Sequence, residues 1–302
     1  MIRLSSATFY QGGVDAMLEQ QQRVFESQMQ LSTGRRFLDP SDDPTAAAQV
    51  VGLSEAIART EQFQQNILAA RNRLELEDTV LGNVDNLLQR ARELTVQGLN
   101  DTLTAQDRQA VAVEIRELLD ELLALANTRD GNGDYLFAGT RTGTRPFVDN
   151  GGGSFAYAGD QGQRSLQVGS SRRVADSDSG LEVFMKVPDA TGTAYQDVFT
   201  SLYRLAADLD ADNPGGNSLT EIDNALERVL ATRARVGARL NALDREQDVN
   251  EGFLVRLRET RSRIEDLDIA EAATELNRQM VVLQAAQQAY VKVSGLSLFN
   301  FL

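Results

Sequence analysis

A chain of 302 residues, 42% apolar and 25% charged, is long enough for about two domains and a substantial core. Its net charge is −14, with 30 basic against 44 acidic side chains and no basic block, so neither nucleic acid nor an anionic membrane surface is expected as a partner. With no Cys and no His, disulfides, thiol nucleophiles, imidazole bases and the usual zinc ligands are excluded.

The first predicted helix runs from about Thr8 to Thr33. Met17, Val24 and Leu31 recur every seven residues, as do Leu18 and Phe25, and the polar face is rich in Gln. Gly34 stands where a left-handed helix cap is expected. Pro40 and Pro44 then stop propagation. Asp43 reads as an N-cap with Pro44 in the first helical position, and Asp42, Asp43 and Pro44 form a helix-capping turn.

The second helix, from about Pro44 to Leu99, carries Ile67, Leu74, Leu81 and Leu88 at sevens. At ~1.5 Å per residue it would be roughly 80 Å long. Thr104 and Asp107 resemble a capping box for a third helix, which bears the stripe Val111, Ile115, Leu118, Leu122 and Leu125 and folds back antiparallel.

From Asp130-Gly131-Asn132-Gly133 to about Gly192 the chain turns rich in Gly, Ser and Thr. Short apolar stretches at Tyr135–Ala138, Pro146–Val148, Ser154–Ala158, Ser165–Val168 and Leu181–Val187 read as a β-rich subdomain. Helix resumes from about Tyr195 to Leu209. Heptad spacing then runs from Leu219 to Ile264, broken only by Arg233, Gln247, Asn250 and Arg261. The last helix, about Asp268 to Val293, carries Ile269, Ala273, Leu276, Met280, Leu283 and Tyr290, with Gln287 interrupting. The chain ends Leu296-Ser297-Leu298-Phe299-Asn300-Phe301-Leu302.

The pattern predicts a mainly α protein: an elongated antiparallel helical coiled-coil rod built from both chain ends, with a small β-rich subdomain inserted at its tip. Three parts are expected: a terminal-helix domain of 1–40 with 268–302, a long helical bundle of 41–130 with 194–267, and the β-rich outer part, 131–193. A lone pair of terminal helices buries little apolar surface per residue and invites further copies of itself. The expected assembly interface is Val14, Leu18, Phe25, Leu276, Met280, Leu283, Tyr290, Leu296, Phe299, Phe301 and Leu302.

Catalytic and metal sites find no support. The acidic turn at Asp39, Ser41, Asp42 and Asp43 lacks the glycine and distal Glu of an EF-hand loop. Gly151-Gly152-Gly153 lacks the Lys and helix of a phosphate loop, and Glu265, Asp266 and Asp268 read as capping at a helix junction. Neither Lys186 nor Lys292 lies in an SxxK pattern. No cofactor is expected. The first ten residues lack a signal-peptide pattern, and no apolar run is long enough to span a membrane.

Both ends resemble the flagellin superfamily of bacterial flagella. The likeness rests on Gln30-Leu31-Ser32-Thr33-Gly34-Arg35-Arg36, on Pro40-Ser41-Asp42-Asp43-Pro44-Thr45-Ala46-Ala47 and on Leu298-Phe299-Asn300-Phe301-Leu302. Gly133-Asp134-Tyr135-Leu136-Phe137-Ala138-Gly139-Thr140 and Tyr157-Ala158-Gly159-Asp160 extend it into the insert. The Asp-Asp-Pro form of the turn is similar to that of the members at the hook–filament junction; filament flagellins usually carry a Lys-Asp-Asp-Ala variant.

The resemblance implies a structural subunit, not an enzyme. It also implies secretion through the type III export apparatus with the help of an export chaperone, a homo-oligomeric ring, and hook-associated protein 1 and flagellin as neighbours in the extracellular flagellum. A divergent filament flagellin and a cytoplasmic coiled-coil scaffold are the competing readings. The scaffold leaves the β insert and the terminal motifs without explanation.

Overall fold

A computed structural model describes the backbone of residues 6–213 and 215–299, and side chains over 11–213 and 215–292. Six α-helices account for most of it: α1 Ser6–Thr33, α2 Pro44–Gly98, α3 Ala105–Ala126, α4 Val198–Asp210, α5 Ser218–Glu265 and α6 Ile269–Phe299. The chain forms two compact units. One comprises Met1–Arg59 with Phe253–Leu302, and the other Thr60–Gly252, so α2 and α5 contribute residues to both.

In the unit of Thr60–Gly252, the residues spaced by sevens on α2 form the core. Ile67, Leu74, Leu81 and Leu88 are fully buried, in one cluster with Val229, Val236 and Leu243 of α5, Ile115 and Leu122 of α3, and Leu202 and Leu205 of α4. Ion pairs on the rim fix the direction of packing. Arg71 meets Asp244 at 2.5 Å, Asp78 meets Arg233 at 3.1 Å and Arg92 meets Asp223 at 2.6 Å. Partners ascend α2 as they descend α5, so the two helices are antiparallel.

Three of the polar breaks in the α5 heptads fall in this unit, and each has a partner on another element. Arg233 lies between Asp78 and Asp85, and Gln247 accepts from Arg71 at 2.8 Å. Asn250, buried, donates to the carbonyl of Val168 at 2.9 Å. A buried amide with a good acceptor holds register where an aliphatic side chain would only add area. At the head of α3, the Thr104 side chain accepts from the N–H of Asp107 and the Asp107 carboxylate accepts from that of Thr104, a complete capping box.

The insert is built from three two-stranded antiparallel hairpins: β1 Phe147–Asp149 with β2 Phe155–Tyr157, β3 Ser165–Gln167 with β4 Arg173–Ala175, and β5 Val187–Pro188 with β6 Tyr195–Gln196. Phe137, Phe147, Phe184 and Phe199 are fully buried together. Phe184 meets Phe137 edge-on at 5.2 Å and Phe147 edge-on at 5.4 Å.

Two expected strand stretches take other forms. Leu181–Met185 is a single π-helical turn, which turns the neighbours Val183 and Phe184 into one core, whereas a strand would send them to opposite faces. Tyr135–Ala138 is a turn apart from one bridge between Arg129 and Tyr135. The fourth helix begins at Val198, capped by Asp197, because Tyr195 and Gln196 are taken into β6.

The two insert motifs lock each other. Asp160 accepts from the N–H of Thr140 at 2.8 Å and gives its own N–H to the carbonyl of Ala138 at 3.1 Å, while the Tyr157 hydroxyl donates to the carbonyl of Phe137 at 2.9 Å. Gly139 has φ +72°, and a Cβ there would lie 2.2 Å from Asp160 Oδ1, so glycine is required on both counts.

Beside this core the segment Asp176-Ser177-Asp178-Ser179 is buried and strongly polar. Asp178 takes two bonds of 2.9 Å from the guanidinium of Arg239 and one of 3.0 Å from Gln163. Arg73 of α2 pairs with Asp130 at 2.5 Å and donates to the carbonyl of Tyr135 at 2.9 Å. Glu77, one turn further along α2, is almost fully buried among these groups. The insert is thus fastened to α2 and α5 by ion pairs and hydrogen bonds as well as by apolar packing.

Candidate assembly interface

The unit of the chain ends is an antiparallel pair, α1 against α6. At its base the chain entering and leaving the helices makes a short backbone ladder. Arg36 donates to the carbonyl of Glu265 at 2.8 Å, Leu267 donates to that of Gly34 at 2.9 Å, and the Arg35 guanidinium pairs with Glu265 at 3.2 Å. Gly34 ends α1 with φ +69°, a left-handed cap that a side chain would strain.

The capping turn follows. Asp43 Oδ1 accepts from the N–H of Ala46 at 2.9 Å, and Pro44 opens α2. Asp42 accepts from the N–H groups of Asp39 and Leu38, each at 3.0 Å, and these bonds hold its carboxyl below the usual range. Asp268 caps α6 through the N–H groups of Ala270 and Glu271. These acids serve helix ends. Among the described residues no group of three or more acids is placed to hold a metal ion, and no helix is long and apolar enough to cross a membrane.

Between α1 and α6 the seam runs through positions 13, 17, 20, 24, 27 and 31 on one helix and 272, 276, 279, 283, 286 and 290 on the other, all buried or half-buried; 30, 273 and 275 are half-buried as well. Both rows of the seam follow the four-three spacing of a two-helix seam. Of the residues expected at the interface, Leu276, Leu283 and Tyr290 lie in this seam. Tyr290 lies against Gly13, 3.4 Å from where a Cβ would stand. Val14, Leu18 and Phe25 lie outside it and are exposed, Leu18 by 59% and Phe25 by 62%. Met280 is exposed as well, and its neighbour Gln279 takes the seam position. The side chains of Leu296 and Phe299, and all of Phe301 and Leu302, lie outside the described residues.

Helix α1 therefore carries two apolar stripes. Met17, Val24 and Leu31 are used within the chain, and Val14, Leu18 and Phe25 remain on the surface.

The polar residues of the seam escape a count of apolar spacing. Ser27 donates to Gln279 Oε1 at 3.0 Å, and Gln20 donates to the backbone carbonyl of Gln279 at 3.3 Å. Their only sequence signal is position: each falls on the heptad grid of its helix.

Residues 14–142 match the bacterial flagellin N-terminal helical region and residues 219–302 the bacterial flagellin C-terminal helical region. The chain belongs to the flagellin family. Within that family it is 32% identical to flagellar hook-associated protein 3 of Escherichia coli K12, over 99% of each chain. It is 30% identical to the protein of the same name from Salmonella typhimurium LT2, again over 99% of each. The fold matches a crystal structure of the flagellar junction protein FlgL from Legionella pneumophila with a TM-score of 0.62 at 24% identity, covering 72% of this chain and all of that one. As a flagellin-family member of this kind, the protein is a structural component of the bacterial flagellum and not an enzyme.

Proposed function

We propose that the protein forms the junction between hook and filament, with hook-associated protein 1 on one side and flagellin on the other. Copies assemble into a ring through their terminal helices. The single observation that carries this reading is the second apolar stripe of α1: Val14, Leu18 and Phe25 stand exposed on a helix whose other stripe is already used against α6. Large apolar side chains repeated along one helix face are a surface for a partner, and full-length similarity to two proteins named hook-associated protein 3 supports a second copy and neighbouring flagellar subunits as that partner. The apolar chain end, Leu296, Phe299, Phe301 and Leu302, belongs to the same surface in this reading.

The three parts then divide the work. Residues 1–40 with 268–302 assemble, 41–130 with 194–267 form the supporting bundle, and 131–193 face outward. The subunit leaves the cell through the type III export apparatus, with an export chaperone holding its C-terminal helix, and acts in the extracellular flagellum. Deleting the gene and imaging the cells tests the assignment. Hooks without filaments and loss of swimming are expected, whereas hooks that still carry full filaments would overturn it.

A further inference from the structure

Asparagine followed by glycine occurs twice in the chain, at Asn132-Gly133 and Asn150-Gly151, and assembly through the terminal helices uses neither. The pair matters chemically because glycine leaves its nitrogen unobstructed: no Cβ stands in the way of the asparagine side chain before it. Both pairs lie in exposed turns, so exposure does not separate them.

The acceptor of the glycine N–H does. At Asn132, the N–H of Gly133 donates to the backbone carbonyl of Asp130 at 3.0 Å, a group that takes up no proton. The Asp130 carboxylate is engaged elsewhere. It pairs with the buried Arg73 at 2.5 Å and accepts from the N–H groups of Asn132 at 2.9 Å and Asp134 at 3.1 Å. That turn is pinned to α2.

At Asn150, in the turn between β1 and β2, the N–H of Gly151 donates instead to Oδ1 of Asp149 at 2.7 Å, within the reach of a general base. Asp149, Asn150 and Gly151 are all exposed. Gly151 and Gly152 have φ of +82° and +65°, and a Cβ on either would meet nothing within 4 Å, so the turn has open space around it. A nitrogen, the side-chain carbon it can reach by closing a five-membered ring, and a carboxylate on the nitrogen's proton thus stand in three consecutive residues.

We propose that Asn150 is a self-modification site. The nitrogen of Gly151 attacks Cγ of Asn150, Asp149 accepts the proton of that nitrogen and passes it to the departing amide group, and ammonia leaves. One C–N bond forms and one breaks, with no oxidation. Water then opens the resulting imide to aspartate or isoaspartate. Aspartate adds a negative charge beside Asp149. Isoaspartate adds an atom to the backbone next to the Asp149–Phe155 pair of the hairpin, and Phe155 packs on Phe199 at 5.4 Å. Nothing in the chain reverses the change, so the modified fraction grows with the age of each copy.

The full-length protein is incubated in its folded state between pH 6 and 8, and its peptides are mapped by mass and by the chromatographic splitting that isoaspartate causes. Asn150 should convert at least about tenfold faster than Asn132, the low end of what a positioned base contributes. In urea, where the turns are lost, the two rates should converge. Asp149→Asn keeps a hydrogen-bond acceptor and removes the base. It should slow Asn150 by about tenfold or more at pH 6 and make its rate climb steeply with pH, as attack assisted only by hydroxide does, while Asn132 is unaffected. An intact Asn150 overturns the proposal. So do equal rates at the two sites in the folded chain, or an Asp149→Asn variant that converts at the parent rate.

Discussion

The backbone N–H of Asp178 donates to Oε1 of Glu77 at 3.2 Å, which brings two carboxyl groups from separate elements into one buried site. Burial raises the Glu77 carboxyl to about 8, with the charge of Asp178 adding to the shift and Arg239, the Asp178 N–H and Arg73 opposing it. Folded, Glu77 holds a proton at neutral pH that the unfolded chain has already lost. Stability from this group is complete below the unfolded value near 4.5 and falls as pH rises towards 8. Glu77→Gln keeps an acceptor for the Asp178 N–H and removes the titration. Urea unfolding between pH 5 and 8 should show a flatter profile for the variant, with a gain over the parent of about 2 kcal/mol at the upper end. A parent that gains stability over this interval would contradict the assignment.

Removing Phe184 should unseat the insert. Its ring is fully buried and meets Phe137, Phe147 and Phe199 at once. Phe184→Ala should cost about 3–5 kcal/mol by thermal or urea unfolding. Amide exchange should quicken first across the hairpins between Phe147 and Ala175, with the α2 core following.

Asp43→Ala removes the side-chain acceptor for the Ala46 N–H and the 3.3 Å contact with Arg36. A lost N-cap costs about 1 kcal/mol. The expected result is faster amide exchange in the first turn of α2, read site by site, with the far end of the helix unaffected.

Leu283→Asp places a charge in the α1–α6 seam, and deletion of residues 299–302 removes the apolar chain end. Both should block incorporation into flagella while Thr60–Gly252 keeps its helical circular dichroism and cooperative melting. Normal incorporation of either would show that the assembly surface lies elsewhere.

Much of the fold is legible because helices advertise their buried faces. The sevens on α2, the heptads of α5 and the Thr104–Asp107 box each rest on residues close in sequence. Other features depend on partners far along the chain, and local periodicity does not hold that information. Arg233 and Asn250 look like defects in a heptad until Asp78 and the carbonyl of Val168 are brought to them.

Leu181–Val187 reads as a strand by composition, yet Leu181–Met185 winds into a π-helical turn, because two neighbouring residues need the same side. Met280 outranks Gln279 in apolarity, but Gln279 finds a hydroxyl across the seam. Apolar spacing marks α1 as a helix with more than one face to bury, and only the packing shows which face α6 takes.

The turn between Gly34 and Pro44 acts as a firebreak. One helix is closed by a left-handed residue, the next is opened by its own acid, and Pro40 and Pro44 stand in the second half of the interval. Unwinding that starts in α1 has no continuous hydrogen-bond ladder along which to run into α2, and α2 needs no turn of α1 as its nucleus. Melting and rewinding are therefore separate events on the two sides, so the chain end can be the last part of the subunit to set, after the long helices are in place.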